Sequence, residues 1–182
     1  AFNSAGQRCS ALRLLCVQEE IEPRTLELLT GYMEELTIGD PRHLHTDVGP
    51  CIDDPSRRIL AQHVERMANE QKVVHRCALP DGSEAGTFFA PTLVEIDDIR
   101  ALTEEQFGPV LHVVKFKSRY LDKTVAAVNE TGFGLTMGLH SRIDSRVRGL
   151  AADSGAGNLY VNRNMIGAVV GVQPFGGRGL SG

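Results

Sequence analysis

Short apolar runs alternate with amphipathic helical stretches along almost all of this 182-residue chain, and few architectures accommodate that rhythm. Residues 13–18, Arg-Leu-Leu-Cys-Val-Gln, read as a buried strand, being short, apolar and followed by charge. From Pro23 to Leu36 the apolar residues Leu26, Leu29, Met33 and Leu36 recur three or four apart, which predicts a helix. Pro23 suits its first turn, where a missing N–H does no harm, and Gly39-Asp40-Pro41 ends it. A second helix is predicted over 54–70, with Ile59, Leu60, His63, Val64 and Met67 on one face and Arg57, Arg58, Glu65 and Arg66 solvated. Strands are expected at 73–79, 88–96, 110–116, 135–140 and 158–162, and helices at 120–129 and 144–152. Repeated strand, helix, strand units imply an α/β fold: a mostly parallel sheet with helices on both faces, joined by right-handed crossovers.

A chain of this length buries roughly 70% of the surface its unfolded form exposes, enough for a core that needs neither metal nor disulfide. Its apolar runs are short, and the one from Ile166 to Val172 is broken by glycines, so no membrane-spanning helix of about 20 residues is expected. With 19 Lys and Arg against 23 Asp and Glu, and only 5% aromatic residues, no basic, aromatic surface is available for nucleic acid. Cys9, Cys16, Cys51 and Cys77 lack the close spacing of a zinc knuckle or a redox dithiol, which favours free thiols in a reducing, cytoplasmic setting. Ala1-Phe2-Asn3-Ser4 has no secretory character. The opening there and the close on Gly179-Leu180-Ser181-Gly182 lead us to expect an excised piece of a longer protein.

Cys9 is the best nucleophile candidate. It lies in Gly6-Gln7-Arg8-Cys9-Ser10-Ala11, read as a small-residue turn feeding a short helical stretch, where free N–H groups and Arg8 favour a thiolate. On pattern alone, a small cysteine buried in a packed turn is the more ordinary reading. Cys16 sits among leucines in a strand, and Cys51 and Cys77 have no positive or helix-start context. Thr103-Glu104-Glu105-Gln106-Phe107-Gly108-Pro109 puts carboxylates and a ring just before a strand. There an acid can accept hydrogen bonds from sugar hydroxyls and a ring can lie against a flat heterocycle, although on pattern alone a solvated acidic turn with a core phenylalanine is the more ordinary reading. The glycine-rich stretch from Gly167 to Gly177 is either a tight connection or a nest of backbone N–H groups suited to a carboxylate. Gly177-Arg178-Gly179-Leu180-Ser181-Gly182 spells the dinucleotide fingerprint, but neither a preceding strand nor a following helix is expected for it. His43 and His45 have His-x-His spacing without a third ligand in register, so no metal is assigned; His63, His75, His112 and His140 read as packing or surface groups.

Together, Gly6-Gln7-Arg8-Cys9, then Glu105-Gln106-Phe107-Gly108-Pro109, then Pro174-Phe175-Gly176-Gly177 with Ser181-Gly182 resemble the signature segments of the aldehyde dehydrogenase superfamily, in order and at similar separations. The resemblance spans the chain. The segments 1–13 and 160–182 look closest to the L-glutamate γ-semialdehyde (1-pyrroline-5-carboxylate) dehydrogenase module of bacterial bifunctional proline utilisation proteins. By that resemblance Cys9 is the nucleophile that adds to the aldehyde carbon, its own N–H one donor to the oxyanion. Glu105 matches the residue that holds the nicotinamide ribose of NAD, and Phe107 the ring beside the nicotinamide. Ser10, Gly167 and Ala168 match the anchor for the substrate α-carboxylate, and Phe175 the wall along its aliphatic part.

The resemblance also implies what lies elsewhere. In the family the nucleotide-binding half, the glutamate that acts as general base and an oxyanion asparagine precede the cysteine, and an oligomerisation strand follows the last motif. Residues 1–182 are therefore expected to be the cysteine-bearing catalytic subdomain, with little NAD-dependent turnover alone. The implied partners are a small aldehyde, the rest of the parent dehydrogenase and a proline dehydrogenase module. The competing expectations are an enzyme of the same superfamily acting on another aldehyde, and a folded fragment without catalysis.

Overall fold

Four strands form the larger sheet of the computed structural model, which describes residues 1–166, 168–169, 171–173 and 175–182. They are β1 (Leu14–Gln18), β2 (Lys72–Arg76), β3 (Thr92–Glu95) and β4 (Val110–Phe116), in the spatial order β1-β4-β3-β2. β3 and β4 run parallel, with Leu93 opposite Leu111, whereas β2 closes the edge antiparallel to β3. Because side chains alternate across a strand, Leu93, Leu111 and Val113 point to one face. There they pack with Val17 of β1 and with Met33 of helix α1 (Glu22–Glu34). His112 points to the other face, where its ring meets His63 of helix α2 (Asp54–Glu70). The sheet thus carries a helix on each side, as the strand-helix alternation predicts.

Helix α2 starts where its sequence says it should. The Asp53 side chain accepts a hydrogen bond from the Ser56 N–H at 2.8 Å, Pro55 occupies the first turn, and Asp54 pairs with Arg57 and Arg58. Its buried stripe is Leu60, His63, Val64 and Met67. Ile59, expected on that face, is exposed, because it stands one residue off a stripe that already repeats at three and four. Two strands are shorter than their apolar runs. The 88–96 run becomes strand only from Thr92, since Pro91 has no N–H for a ladder; the 73–79 run stops at Arg76, ahead of the Pro80-Asp81-Gly82 turn.

The chain divides into two compact units, Ala1–Asp98 with Glu104–Lys115, and Ile99–Thr103 with Phe116–Gly182. In the second, α3 (Leu121–Glu130) and α4 (Asp144–Asp153) accompany two small sheets. One pairs β5 (Phe133–Gly134) antiparallel with β8 (Arg178–Gly179); the other pairs β6 (Thr136–Leu139) parallel with β7 (Asn158–Val161). Arg178 and Gly179, the core of the dinucleotide-like string, are therefore an edge strand and not a phosphate loop. Among the described residues no helix is long and apolar enough to cross a membrane.

Candidate active site around Cys9

The turn that carries Cys9 has an unusual backbone. Ser4 and Ala5 both have positive φ, 56° and 51°, and Gly6 follows at 64°. A left-handed residue with a Cβ is unfavourable by about 1–2 kcal/mol, so two in succession persist only where surrounding groups hold them. The Gln7 amide is one such group. Its Nε2 donates to the Pro50 carbonyl at 3.2 Å, while its Oε1 accepts from the Ile52 N–H at 2.7 Å. Gly6 itself is pressed against Gly108, and a Cβ at position 6 would overlap the Gly108 carbonyl. That contact joins the Cys9 turn to the Glu105–Pro109 segment.

Cys9 is exposed at this turn and Ser10 beside it is buried. The ordinary reading of a buried structural cysteine is thus overturned. So is the helical stretch expected after it: the chain makes one turn, with the Ala11 N–H donating to the Arg8 carbonyl at 3.0 Å, and runs into β1. The single helical turn, Asn3–Gly6, precedes the cysteine. Among the described residues the Cys9 backbone N–H donates to no protein acceptor, which leaves it available to an oxygen bound at the thiol. The other thiols are poor nucleophiles. Burial pushes Cys16 up to about 12 and also raises Cys51 and Cys77.

Arg13, which opens β1's segment, connects these parts, and a charge at the head of an apolar strand is the one local signal of it. One terminal nitrogen, Nη1, donates to the Gly6 carbonyl and the other, Nη2, to the Arg8 carbonyl at 2.9 Å. Its Nε lies 3.6 Å from the Glu105 carboxylate, and its guanidinium covers the Phe107 ring at 4.7 Å from the centroid. Burial lowers the Arg13 pKa from its ordinary value, while the charges of Glu105 and Cys9 work in the opposite direction. Phe107, 45% exposed, is not the core residue of the alternative reading; the ring keeps accessible surface although Arg13 lies against it. The Cys9 turn, Glu105 and Phe107 are therefore brought together in the first unit through Arg13, and Ser10 follows Cys9 along the chain.

The other expected site residues lie in the second unit. Ala168 is half-buried, and its N–H donates to no described residue. In the turn that follows, the Val169 N–H donates to Gln173 Oε1, and the Val172 and Gln173 N–H groups donate to the Val169 carbonyl. Phe175 is exposed, and Gly176 after it is held by Asn158, whose Nδ2 donates to its carbonyl at 2.8 Å. Gly167 and Pro174 lie outside the described residues. His43 and His45, the His-x-His pair, stack with ring centroids 5.5 Å apart.

His63 and His112 read as scattered packing or surface groups, yet they form a buried pair, Nε2 to Nε2 at 2.8 Å. His112 Nδ1 reaches the Arg13 carbonyl at 3.0 Å, and the His112 backbone N–H donates to the same oxygen. A carbonyl only accepts, so Nδ1 of His112 carries the proton, its Nε2 accepts, and His63 Nε2 donates. The pairing could not be read from residues 49 apart on different elements.

Comparison with known proteins agrees with this geometry. The sequence profile of the aldehyde dehydrogenase family matches residues 1–182. The bifunctional protein PutA of Escherichia coli is 49% identical over the whole chain, which spans 14% of that protein. A crystal structure of a proline utilization A mutant from Bradyrhizobium japonicum superposes with a TM-score of 0.95 at 50% identity, covering all of this chain and 18% of that one. The 1-pyrroline-5-carboxylate dehydrogenase from Thermus with bound NAD gives 0.87 at 34% identity, covering 98% of this chain and 34% of that one. The chain accordingly spans between about one-seventh and one-third of the relatives it matches, and it belongs to the aldehyde dehydrogenase family.

Proposed function

We infer that this chain is the cysteine-bearing part of a dehydrogenase that oxidises L-glutamate γ-semialdehyde, formed from 1-pyrroline-5-carboxylate, to L-glutamate. The observation that carries the reading is an exposed Cys9 on a strained turn, locked against the segment that presents Glu105 and Phe107. The thiolate of Cys9 attacks the aldehyde carbon and forms a thiohemiacetal, whose oxyanion is within reach of the free Cys9 N–H. Loss of hydride turns that adduct into a thioester, and water releases the acid and regenerates the thiol.

Glu105 and Phe107 fit NAD. A carboxylate held by Arg13 accepts hydrogen bonds from ribose hydroxyls, and an accessible ring backed by a guanidinium offers a flat surface to a nicotinamide. When bound, the cofactor supplies the hydride acceptor. The resemblance supports Ser10, Gly167 and Ala168 as the residues that match the anchor for the substrate carboxylate, and Phe175 as the one that matches the wall along its methylenes. Resemblance to the bifunctional relatives supports a proline dehydrogenase module as the partner that supplies the substrate, and a cytoplasmic enzyme.

The test exchanges residues 1–182 for the matching segment of the E. coli bifunctional protein. NADH formation with 1-pyrroline-5-carboxylate, abolished by Cys9→Ala, is expected. A folded chimera without turnover, or one that prefers a plain aliphatic aldehyde, refutes the assignment. The 182-residue chain alone is expected to show little NADH production.

A further inference from the structure

We propose that Arg13 is the positioning residue of this site: it clamps the Cys9 turn and the Glu105–Phe107 segment into one arrangement and sets the positive field at the thiol. The inference rests on the reading of Cys9, Glu105 and Phe107 given above. Its side chain is 15% exposed, and a buried guanidinium needs partners for its donors. Its terminal nitrogens donate to the carbonyls of Gly6 and Arg8, its Nε, with no hydrogen-bond partner among the described residues, lies 3.6 Å from the Glu105 carboxylate as an ion pair, and the flat of the group covers Phe107. No regular element shapes the turn between Gln7 and Arg13. The Arg13 fork holds two of the carbonyls that flank the cysteine, one of them in the peptide group that joins Arg8 to Cys9.

The fork is itself held from beneath. The buried chain His63, His112, Arg13 carbonyl fixes the Arg13 backbone from α2 and β4, so the guanidinium projects from a rigid base toward a turn that has little rigidity of its own. This gives a buried polar pair in an apolar core a purpose. A lysine at position 13 keeps the charge but is a compact donor without the planar geometry, and cannot bridge both carbonyls while lying flat on a ring.

The experiment measures, on the 182-residue chain, the rate of Cys9 alkylation by anionic iodoacetate relative to neutral iodoacetamide, with the modified residue located by mass spectrometry. Loosening the turn alters both rates alike and leaves their ratio unchanged, whereas removing a neighbouring positive charge lowers the ratio. Arg13→Met is expected to lower the ratio by about threefold, the effect of one unit charge acting through water over roughly 6 Å. Arg13→Lys should restore the ratio while raising both absolute rates. Val113→Ala, which weakens the core of the same unit without touching Arg13, should leave the ratio unchanged. Glu105→Gln keeps Arg13 and should raise the ratio, so the inference remains testable if Arg13→Met fails to fold. A ratio unmoved in Arg13→Met or in Glu105→Gln, or moved equally by Val113→Ala, overturns it. Failure of the functional reading is separate: it shows as a folded chimera without turnover, one that prefers a plain aliphatic aldehyde, or turnover surviving Cys9→Ala, whatever the ratio does.

Discussion

Lowering the pH from 7 to 5 is expected to destabilise the chain through one buried pair, His63 and His112. Burial is the main reason that both rings are pushed down to about 4, reinforced at His63 by the charge of Arg66. At His112 the hydrogen bond to the Arg13 carbonyl works the other way, and the charges of His63, Arg66 and Arg13 lower it further. The unfolded chain takes up protons on both rings from about pH 6.5 downward, whereas the folded chain keeps them off until about pH 4. Stability is therefore complete above about 6.5 and is lost as the pH falls toward 4. Each unit of pH in that window is worth about 1.4 kcal/mol per histidine, so pH 5 removes about 2 kcal/mol for one ring. Because the rings share a hydrogen bond, the pair loses about 2–4 kcal/mol and not a simple sum.

Two carboxylates with lowered pKa act outside this window. Asp40, held near 2 chiefly by its hydrogen bonds from Arg42, and Glu95, lowered by Lys115 and Lys72, release their contribution only at more acid pH, where they protonate. The assay is urea unfolding followed by circular dichroism at pH 7, 6 and 5, for the native chain and for His63→Asn/His112→Asn. A loss concentrated between pH 6.5 and 5, and absent from the double variant, is expected. Equal unfolding midpoints at pH 7 and 5, or the same loss in the double variant, would refute the reasoning.

Three further outcomes can be checked. Iodoacetamide at pH 8 should modify Cys9 first, because a thiol near 12, such as Cys16, is only about one part in ten thousand thiolate there; comparable labelling of Cys16 contradicts its burial. Gly6→Ala should destabilise the chain by more than about 2 kcal/mol, since the left-handed conformation and the overlap with the Gly108 carbonyl add; thermal melting within a degree of native counts against this packing. Leu93→Ala, at a position with no solvent exposure in the sheet core, should lower stability by about 2–5 kcal/mol in urea titrations, and a loss below about 1 kcal/mol would mean the cluster of Val17, Met33, Leu111 and Val113 is not closely packed.

Periodicity made most elements legible. Met33, and Leu60 with Met67, stand on the faces that a period of 3.6 selects, and the β-branched run 110–116 is a strand over its predicted length. Boundaries went astray where a proline intervened, as at Pro91, because apolarity continues through a residue that cannot join a ladder. The candidate site was legible as letters around Cys9 and Glu105, but not as geometry. A run of small residues does not announce that Ser4 and Ala5 are left-handed, and the helix expected after Cys9 was an inference from residue size alone. Nor does local pattern reveal long-range polar pairing: His63 and His112 each look like an isolated ring in an apolar stripe until the fold places them together.

The division of labour between these two kinds of residue has a physical logic. Core positions answer to a repeating constraint, so their pattern survives in one dimension. A reacting thiol has to be exposed and still fixed to within a fraction of an ångström, which neither burial nor a helix supplies at Cys9. Here the fixing comes from polar side chains borrowed from elsewhere, Gln7 reaching Pro50 and Ile52, Arg13 reaching back to Gly6 and across to Glu105, and the histidine pair supporting Arg13. Each of these is a single long-range bond with no period, and each binds a stretch that has little local structure. The strain stored at Ser4 and Ala5 is the counterpart: it is tolerated because several independent bonds oppose it, so removing one should be felt first as a change at the thiol and only second as a loss of fold.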